Sequence, residues 1–309
     1  MTPQDELPFG EGEGVTSKRR PLRGSRNVGH SVRTPAKHAL MGRLIGREVG
    51  AGRHIRGFDE HLWLDLTAGD GVPYLAEGPW WSNCSPGLLA YHATAAHKRI
   101  RVRLHEIQPA TFDRLDGNLH DHLPRLEGRR GESVAYGWNG DHWWRGYSQV
   151  RSFNADGAGA SVEDVTARTA VVVVNDPNAI NTWAMRPTFV AEIRERTPWF
   201  RGISTMGCNA KGLKRLNREE RGQWYGLVQQ AADGLYPHHD LLLAAIERDD
   251  SQWAYLVEEA NAWGERAEDD VDKAFTAHGM TMRKVWLRRD PAGFRALLDE
   301  LFLTKKERM

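Results

Sequence analysis

Four short polar clusters in this sequence combine residue types able to bind or orient a ligand. The first, Asp65-Leu66-Thr67-Ala68-Gly69-Asp70-Gly71, sets two carboxylates and a hydroxyl among small residues. Small residues let the backbone approach a ligand closely, and Asp65 can accept hydrogen bonds from a cationic or hydroxylated group. The second is Glu106, in His105-Glu106-Ile107-Gln108-Pro109, an acid suited to accept both hydroxyls of a ribose. The third is Gly140-Asp141, followed by His142, Trp143 and Trp144. A carboxylate there can accept an adenine amino hydrogen while Trp143 or Trp138 covers the ring. The fourth is Asn175-Asp176-Pro177-Asn178, directly after the most apolar run of the chain. Each also has a plainer reading, since strand-end Asp and Glu often cap the next helix and Asn-Asp-Pro-Asn has turn composition. Their order is what raises them together: each closes a stretch that reads as a strand.

The elements that must position these residues alternate along the chain. Residues 38–49 (HALMGRLIGREV) have helical apolar spacing, with Thr34-Pro35 as a plausible start. HLWLDL at 61–66 reads as a strand, and SPGLLAYHATAAHKR at 85–99 as a helix with Ser85 as N-cap and Pro86 in first position. IRVRLHEI at 100–107 alternates like a strand, and PATFDRLDGNL follows as a helix. ESVAYGW at 132–138 is expected to be the third strand, and TAVVVVND at 169–176 the fourth, β-branched and buried on both faces. FRGISTMG at 200–207 makes a fifth strand and residues 216–235 a long amphipathic helix. DLLLAAIE and QWAYLVEE pair as strands across 248–251; MTMRKVWL is a further strand and PAGFRALLDELF a closing helix. This alternation predicts an α/β fold: a doubly wound, mostly parallel Rossmann-like sheet with helices on both faces.

Composition narrows the partners. The 309 residues hold 42 Lys plus Arg against 41 Asp plus Glu, a net charge of +1, so the chain is no polycation overall. The balance is local. Seven bases and no acid lie between Lys18 and Lys37, within a Gly/Pro/Ser/Thr-rich stretch expected to be a mobile basic arm over residues 1–36, with the domain at 37–309. Residues 211–221 carry five more bases, and residues 240–273 carry eleven acids against three bases. Lys18, Arg19, Arg20, Lys211, Lys214 and Arg215 are therefore the candidate phosphate contacts, although such stretches are often only solvated chain. Two cysteines exclude a disulfide framework, and no Cys/His cluster suggests a metal. No apolar run is long enough to cross a membrane and no leader-like segment opens the chain, which predicts a cytoplasmic protein. Twelve tryptophans are a marked excess. Trp224, Trp253, Trp263 and Trp286 read as packing residues, whereas Trp80, Trp81, Trp143, Trp144 and Trp183 fall in predicted loops at the ligand face.

Together the four clusters resemble the class I S-adenosylmethionine-dependent methyltransferases. Asp65 to Gly71 resembles their first motif, Glu106 the ribose-binding acid, Gly140-Asp141 the adenine-contacting pair, and Asn175-Asp176-Pro177-Asn178 the motif after strand four. The layout is most similar to the three-Cys-motif partner proteins and DNA-type methyltransferases, sharing a helix near Lys37, the Asp-rich Gly turn, Ser85-Pro86 and an Asp-Pro after strand four. The resemblance implies S-adenosylmethionine as cofactor, held by Asp65, Thr67, Ala68, Gly69, Asp70, Gly71, Glu106 and Asp141. It implies Asn175, Asp176, Pro177 and Asn178 as the transfer loop, acting on nucleic acid and most simply on a DNA base amino group. Asn178 and Ala179 depart from the Pro-aromatic pair of amino-methylating enzymes, so base stacking would have to come from elsewhere, such as Trp183. For a hydroxyl or carboxylate acceptor His142 is the nearest candidate base. A Rossmann-like NAD-dependent enzyme, and a non-catalytic nucleic-acid-binding adaptor on the same fold, are the alternatives; the first lacks a G-x-G-x-x-G turn.

Overall fold

Residues 169–175 owe their place to composition. Ala170 and four consecutive valines are apolar on both sides, and every residue of this strand is buried. Such a strand belongs inside a parallel sheet covered on both faces. The computed structural model describes residues 34–54, 58, 60–72, 79–82, 84–95, 99–126, 136–138, 142–145, 148–176, 187–206, 239–247, 254–260, 264–303, 306–308 and a few positions between 222 and 233.

Ten strands form one sheet: β1 (Glu60–Asp65), β2 (Arg99–His105), β3 (Tyr136–Trp138), β4 (Trp143–Arg145), β5 (Ser148–Phe153), β6 (Thr169–Asn175), β7 (Phe200–Met206), β8 (His239–Ile246), β9 (Ala254–Ala260) and β10 (Met282–Trp286). Their order is β10-β8-β9-β7-β6-β1-β2-β5-β4-β3. The five strands β5, β2, β1, β6 and β7 run parallel. Renumbered among themselves they lie 3-2-1-4-5, the doubly wound order, with the switch point between β1 and β6. Beyond β7 the sheet continues with antiparallel β9, β8 and β10 rather than a sixth parallel strand.

The two faces can be read from alternation. Trp63, Val102, Val172 and Leu242 point to one face, where they meet Leu40 and Leu44 of α1 (Thr34–His54), Leu88 of α2 (Ser85–Ala95), Leu115 of α3 (Pro109–His122) and Phe275 of α5 (Gly264–Thr276). Leu62, Leu64, Val171, Val173, Leu241 and Leu243 point to the other, against Ile193 of α4 (Pro187–Arg196) and Leu297 and Phe302 of α6 (Pro291–Phe302). The expectation of helices on both faces is met. Helix α6 begins as its sequence dictates, with Asp290 accepting the Gly293 amide at 2.8 Å ahead of Pro291.

Two expectations change. Residues 136–138 are not the third parallel strand; they form the outer arm of an antiparallel hairpin with β4. The third parallel strand is β5, whose half-polar sequence Ser148-Gln149-Val150-Arg151-Ser152-Phe153 lies toward the sheet's margin and needs no continuous apolar run. Helix α1 begins at Thr34, as the Thr34-Pro35 pair suggests, and both Thr34 and Ala36 are buried. Residues 1–33 and 207–221, with Lys18, Arg19, Arg20, Lys211, Lys214 and Arg215, lie outside the described residues. Among the described residues no helix is long and apolar enough to cross a membrane.

Between β5 and β6 the chain crosses the sheet with only a 3-10 turn, Gly157–Gly159, and then packs Ala160, Val162 and Val165 on the second face. Glycine is required there. A Cβ at 157 would stand 2.2 Å from the Leu66 carbonyl oxygen and 2.7 Å from its Cα.

Candidate active site

Register brings three of the four clusters to one row. Asp65 pairs with Leu104 on one side and with Val174 on the other. Glu106 and Asp176 therefore each stand two residues past Asp65's row, on the strands that flank it. This is the carboxyl edge of the sheet beside the switch point, where ligands bind in open α/β sheets.

The turn after β1 is built to hold its backbone open. Leu66 N–H still bonds the Val174 carbonyl (2.9 Å) and Ala68 N–H bonds the His105 carbonyl (2.9 Å), so the turn stays stitched to both neighbouring strands. Gly69 and Gly71 both have φ of +68°, a conformation that side chains resist. Trp80 Nε1 donates to the Gly71 carbonyl (2.8 Å), and Asn118 Nδ2 to that of Asp70 (2.8 Å). Asp70 accepts the Val72 amide through Oδ1 (3.1 Å) and faces Arg114 through Oδ2 (3.4 Å).

Glu106 is nine-tenths buried and spans two turns. Its Oε2 accepts the Gly69 amide (3.1 Å) and its Oε1 the Gln108 amide (2.8 Å). Each carboxylate oxygen keeps lone-pair capacity for a further donor such as a ribose hydroxyl. Ile107, next in the chain, is half exposed and the one large apolar side chain standing in solvent among the described residues. Its place beside Glu106 suits a flat ring that needs an apolar face, a role that the sequence reading did not assign to it.

Asp65 is fully buried. Burial pushes its carboxyl up to about 7; hydrogen bonds from Ser85 and the Thr67 amide oppose this, and the carboxylates of Asp176 and Glu106 reinforce it. The Asp176 amide donates to the Thr67 hydroxyl at 2.6 Å, tying the start of the loop after β6 to the turn after β1. Asn175 is the fully buried last residue of β6.

Lys37 is another residue that the sequence does not single out. It closes the basic run that begins at Lys18, yet it lies on α1, is itself buried, and its ammonium pairs with Asp176. Lysine in a basic run reads as solvated; only contact across 139 positions of chain reveals its partner.

Other expected positions separate from this site. Asp141, Pro177, Asn178 and Trp183 lie outside the described residues. His142 directly precedes β4, four places along the sheet from β6. Trp143 is buried in the core rather than presented to a ligand, and Trp80 is buried under the turn. Trp81 is half-buried and stacks on Tyr91 with ring centres 3.8 Å apart. Trp286 packs in the core as expected. Cys84 is a buried thiol pushed up to about 12 by burial, which leaves it inert as a nucleophile. No group of metal-ligating side chains occurs among the described residues.

Several solved structures of similar shape are methyltransferases. A protein from Legionella pneumophila aligns with 84% of this chain and 97% of its own, at 11% identity and a TM-score of 0.47. Precorrin-6y C5,15-methyltransferase from Geobacter metallireducens aligns over 72% of this chain and 87% of its own, at 10% identity and a TM-score of 0.37. The O-methyltransferase of Bacillus cereus, solved with SAH, covers 74% and 81%, at 12% identity and a TM-score of 0.38. No family model and no curated protein matches the sequence.

Proposed function

We propose that the chain is an S-adenosylmethionine-dependent methyltransferase acting on nucleic acid, with a DNA base amino group the favoured acceptor. The observation that carries this reading is the charge at the switch point. Asp65, Glu106 and Asp176 converge there with the buried ammonium of Lys37 beside Asp176. Such a site favours a cationic ligand and disfavours the pyrophosphate of a dinucleotide. Absence of a G-x-G-x-x-G turn and antiparallel β9 where a sixth parallel strand would lie also count against the NAD alternative.

The residues present fit the cofactor. Glu106 would accept its ribose hydroxyls, Ile107 would cover one face of its base, and the open turn Thr67-Ala68-Gly69-Asp70-Gly71 would meet its amino-acid end. Asp65 lies beneath that turn and supplies negative charge once it ionises, above about pH 7. When bound, the cofactor supplies a sulfonium-activated methyl group, so the protein's task is orientation and exclusion of water. Asp176 accepts a hydrogen bond from the target amine and points its lone pair at the methyl. An amine needs no general base before transfer.

Calorimetry with S-adenosylmethionine and with NAD tests the cofactor; binding of NAD alone would overturn the reading. Transfer of labelled methyl to undermethylated DNA, to RNA and to protein then identifies the acceptor. Binding without transfer to any of the three would favour the adaptor. Removal of residues 1–33, which stops short of α1, tests the basic arm: DNA affinity should fall and its salt dependence should flatten.

A further inference from the structure

We infer that Lys37 is a positioning residue of the transfer site, orienting Asp176 through a buried ion pair and so setting the rate of transfer without contributing to cofactor affinity; this rests on the methyltransferase reading.

Three observations support it. The ammonium lies on Asp176 while both side chains are largely withdrawn from water, at 8% and 17% exposure. An ion pair so placed is costly unless it is well organised, and loss of one partner leaves a buried charge uncompensated. Secondly, Asp176 is held from two directions: its backbone amide donates to Thr67, and its carboxylate accepts from Lys37. The first contact fixes where the residue sits and the second fixes how its side chain is turned. Thirdly, Lys37 belongs to α1, whose Ala36, Leu40, Met41 and Leu44 are fully buried, so the ammonium is delivered by a rigid support. The carboxylates of Asp65 on β1 and of Asp176 repel each other. Without Lys37 their repulsion would turn the Asp176 carboxylate away from the acceptor.

The chemistry places the demand on Asp176. Transfer to an amine would break the methyl–sulfur bond, form a methyl–nitrogen bond, and leave on the nitrogen a positive charge that is discharged by loss of a proton. The Asp176 carboxylate accepts a hydrogen bond from that N–H throughout and passes the proton to water. A misturned carboxylate would still permit cofactor binding but would not orient the nitrogen lone pair.

The test uses the full chain with Lys37→Met, Lys37→Arg, Asp176→Asn and Lys37→Met/Asp176→Asn. Hydrogen exchange of the ligand-free protein is read in the segment holding Asp176, where Lys37→Met should exchange faster and Lys37→Arg should match the parent. S-adenosylmethionine affinity should not weaken in Lys37→Met, whose loss of a cation leaves the site more anionic, while methyl transfer to undermethylated nucleic acid falls by about tenfold or more in kcat for Lys37→Met and recovers in Lys37→Arg. The double variant should be no slower than Asp176→Asn alone, because the two act as one unit. Independent, multiplying losses would overturn the inference, as would unchanged exchange or parental kcat in Lys37→Met. If the parent binds no S-adenosylmethionine the methyltransferase reading falls, and the exchange data separately decide whether Lys37 holds Asp176.

Discussion

Glu106 bonds the Gly69 amide at 3.1 Å with one carboxylate oxygen and the Gln108 amide at 2.8 Å with the other, so a single side chain locks the turn after β1 to the turn after β2. Both contacts are charge-assisted bonds to backbone, in a site nine-tenths buried. Glu106→Gln keeps the shape but turns an amide NH2 toward one of the two backbone donors. Hydrogen bonds to charged groups contribute about 1.5–3 kcal/mol, so calorimetry should show S-adenosylmethionine affinity lowered by about tenfold or more. Parental affinity in this variant would remove Glu106 from the binding site.

Asp65 sets stability against binding. Its carboxyl is raised by burial from 3.8 to about 7, so the folded state holds a proton that the unfolded state gives up in that range. Stability therefore falls as pH rises from about 4 to about 7 and stays low above it. Asp65→Asn removes the penalty. Thermal melts of the ligand-free protein should show the variant gaining most at about pH 8 and little near pH 4, with a ceiling of about 4 kcal/mol at 1.36 kcal/mol per unit of pKa. The same variant should bind S-adenosylmethionine more weakly. A variant no more stable than the parent at about pH 8 would contradict the charge ascribed to this site.

His105 runs the other way. Burial pulls its imidazole down to about 4, helped by Arg103 and opposed by Asp156, and its ring stacks on Phe153 at 4.9 Å. The unfolded state takes up a proton near 6.5 that the folded state refuses until about 4. This contribution is complete above about pH 6.5 and is lost as pH falls to about 4. His105→Phe keeps the stacked ring and removes the titration. Urea unfolding from pH 4 to 7 should give a flatter acid limb for the variant, and matching slopes would refute the assignment.

Gly157→Ala tests the crossover. Its Cβ would have to displace the backbone of Leu66, at 2.2 Å from the carbonyl oxygen, rather than a side chain that can swing aside. Overpacking of this kind costs about 1–3 kcal/mol or more, and Leu66 directly precedes the binding turn. Both the melting temperature and cofactor affinity should drop. Gly159→Ala, where a Cβ meets open space, is the control that should be close to neutral.

Much of this arrangement was legible because burial on both faces forces continuous apolar strands. The valines of β6, and the leucines of β1 with an acid at their end, announce themselves in that way. β5 did not, since its Gln149 and Arg151 face away from the core and its alternation is that of a strand near the sheet's margin. Asp65, Glu106 and Asp176 were found because they close apolar segments. Lys37 and Ile107 were not, because a buried ammonium and an exposed apolar side chain invert the ordinary relation between residue type and environment.

Among the described residues the sheet of ten strands ends at two margins, and each is guarded. One is the three-residue β3, too short to template another strand. The other is β10, where Arg283 and Lys284 are clamped to Glu300 of α6 and Asp272 of α5. Recruitment of a second chain to that margin would bring two cations, already committed to helices of their own molecule, against the incoming strand. The sheet is closed to end-to-end growth, so self-association by strand addition is disfavoured at both ends.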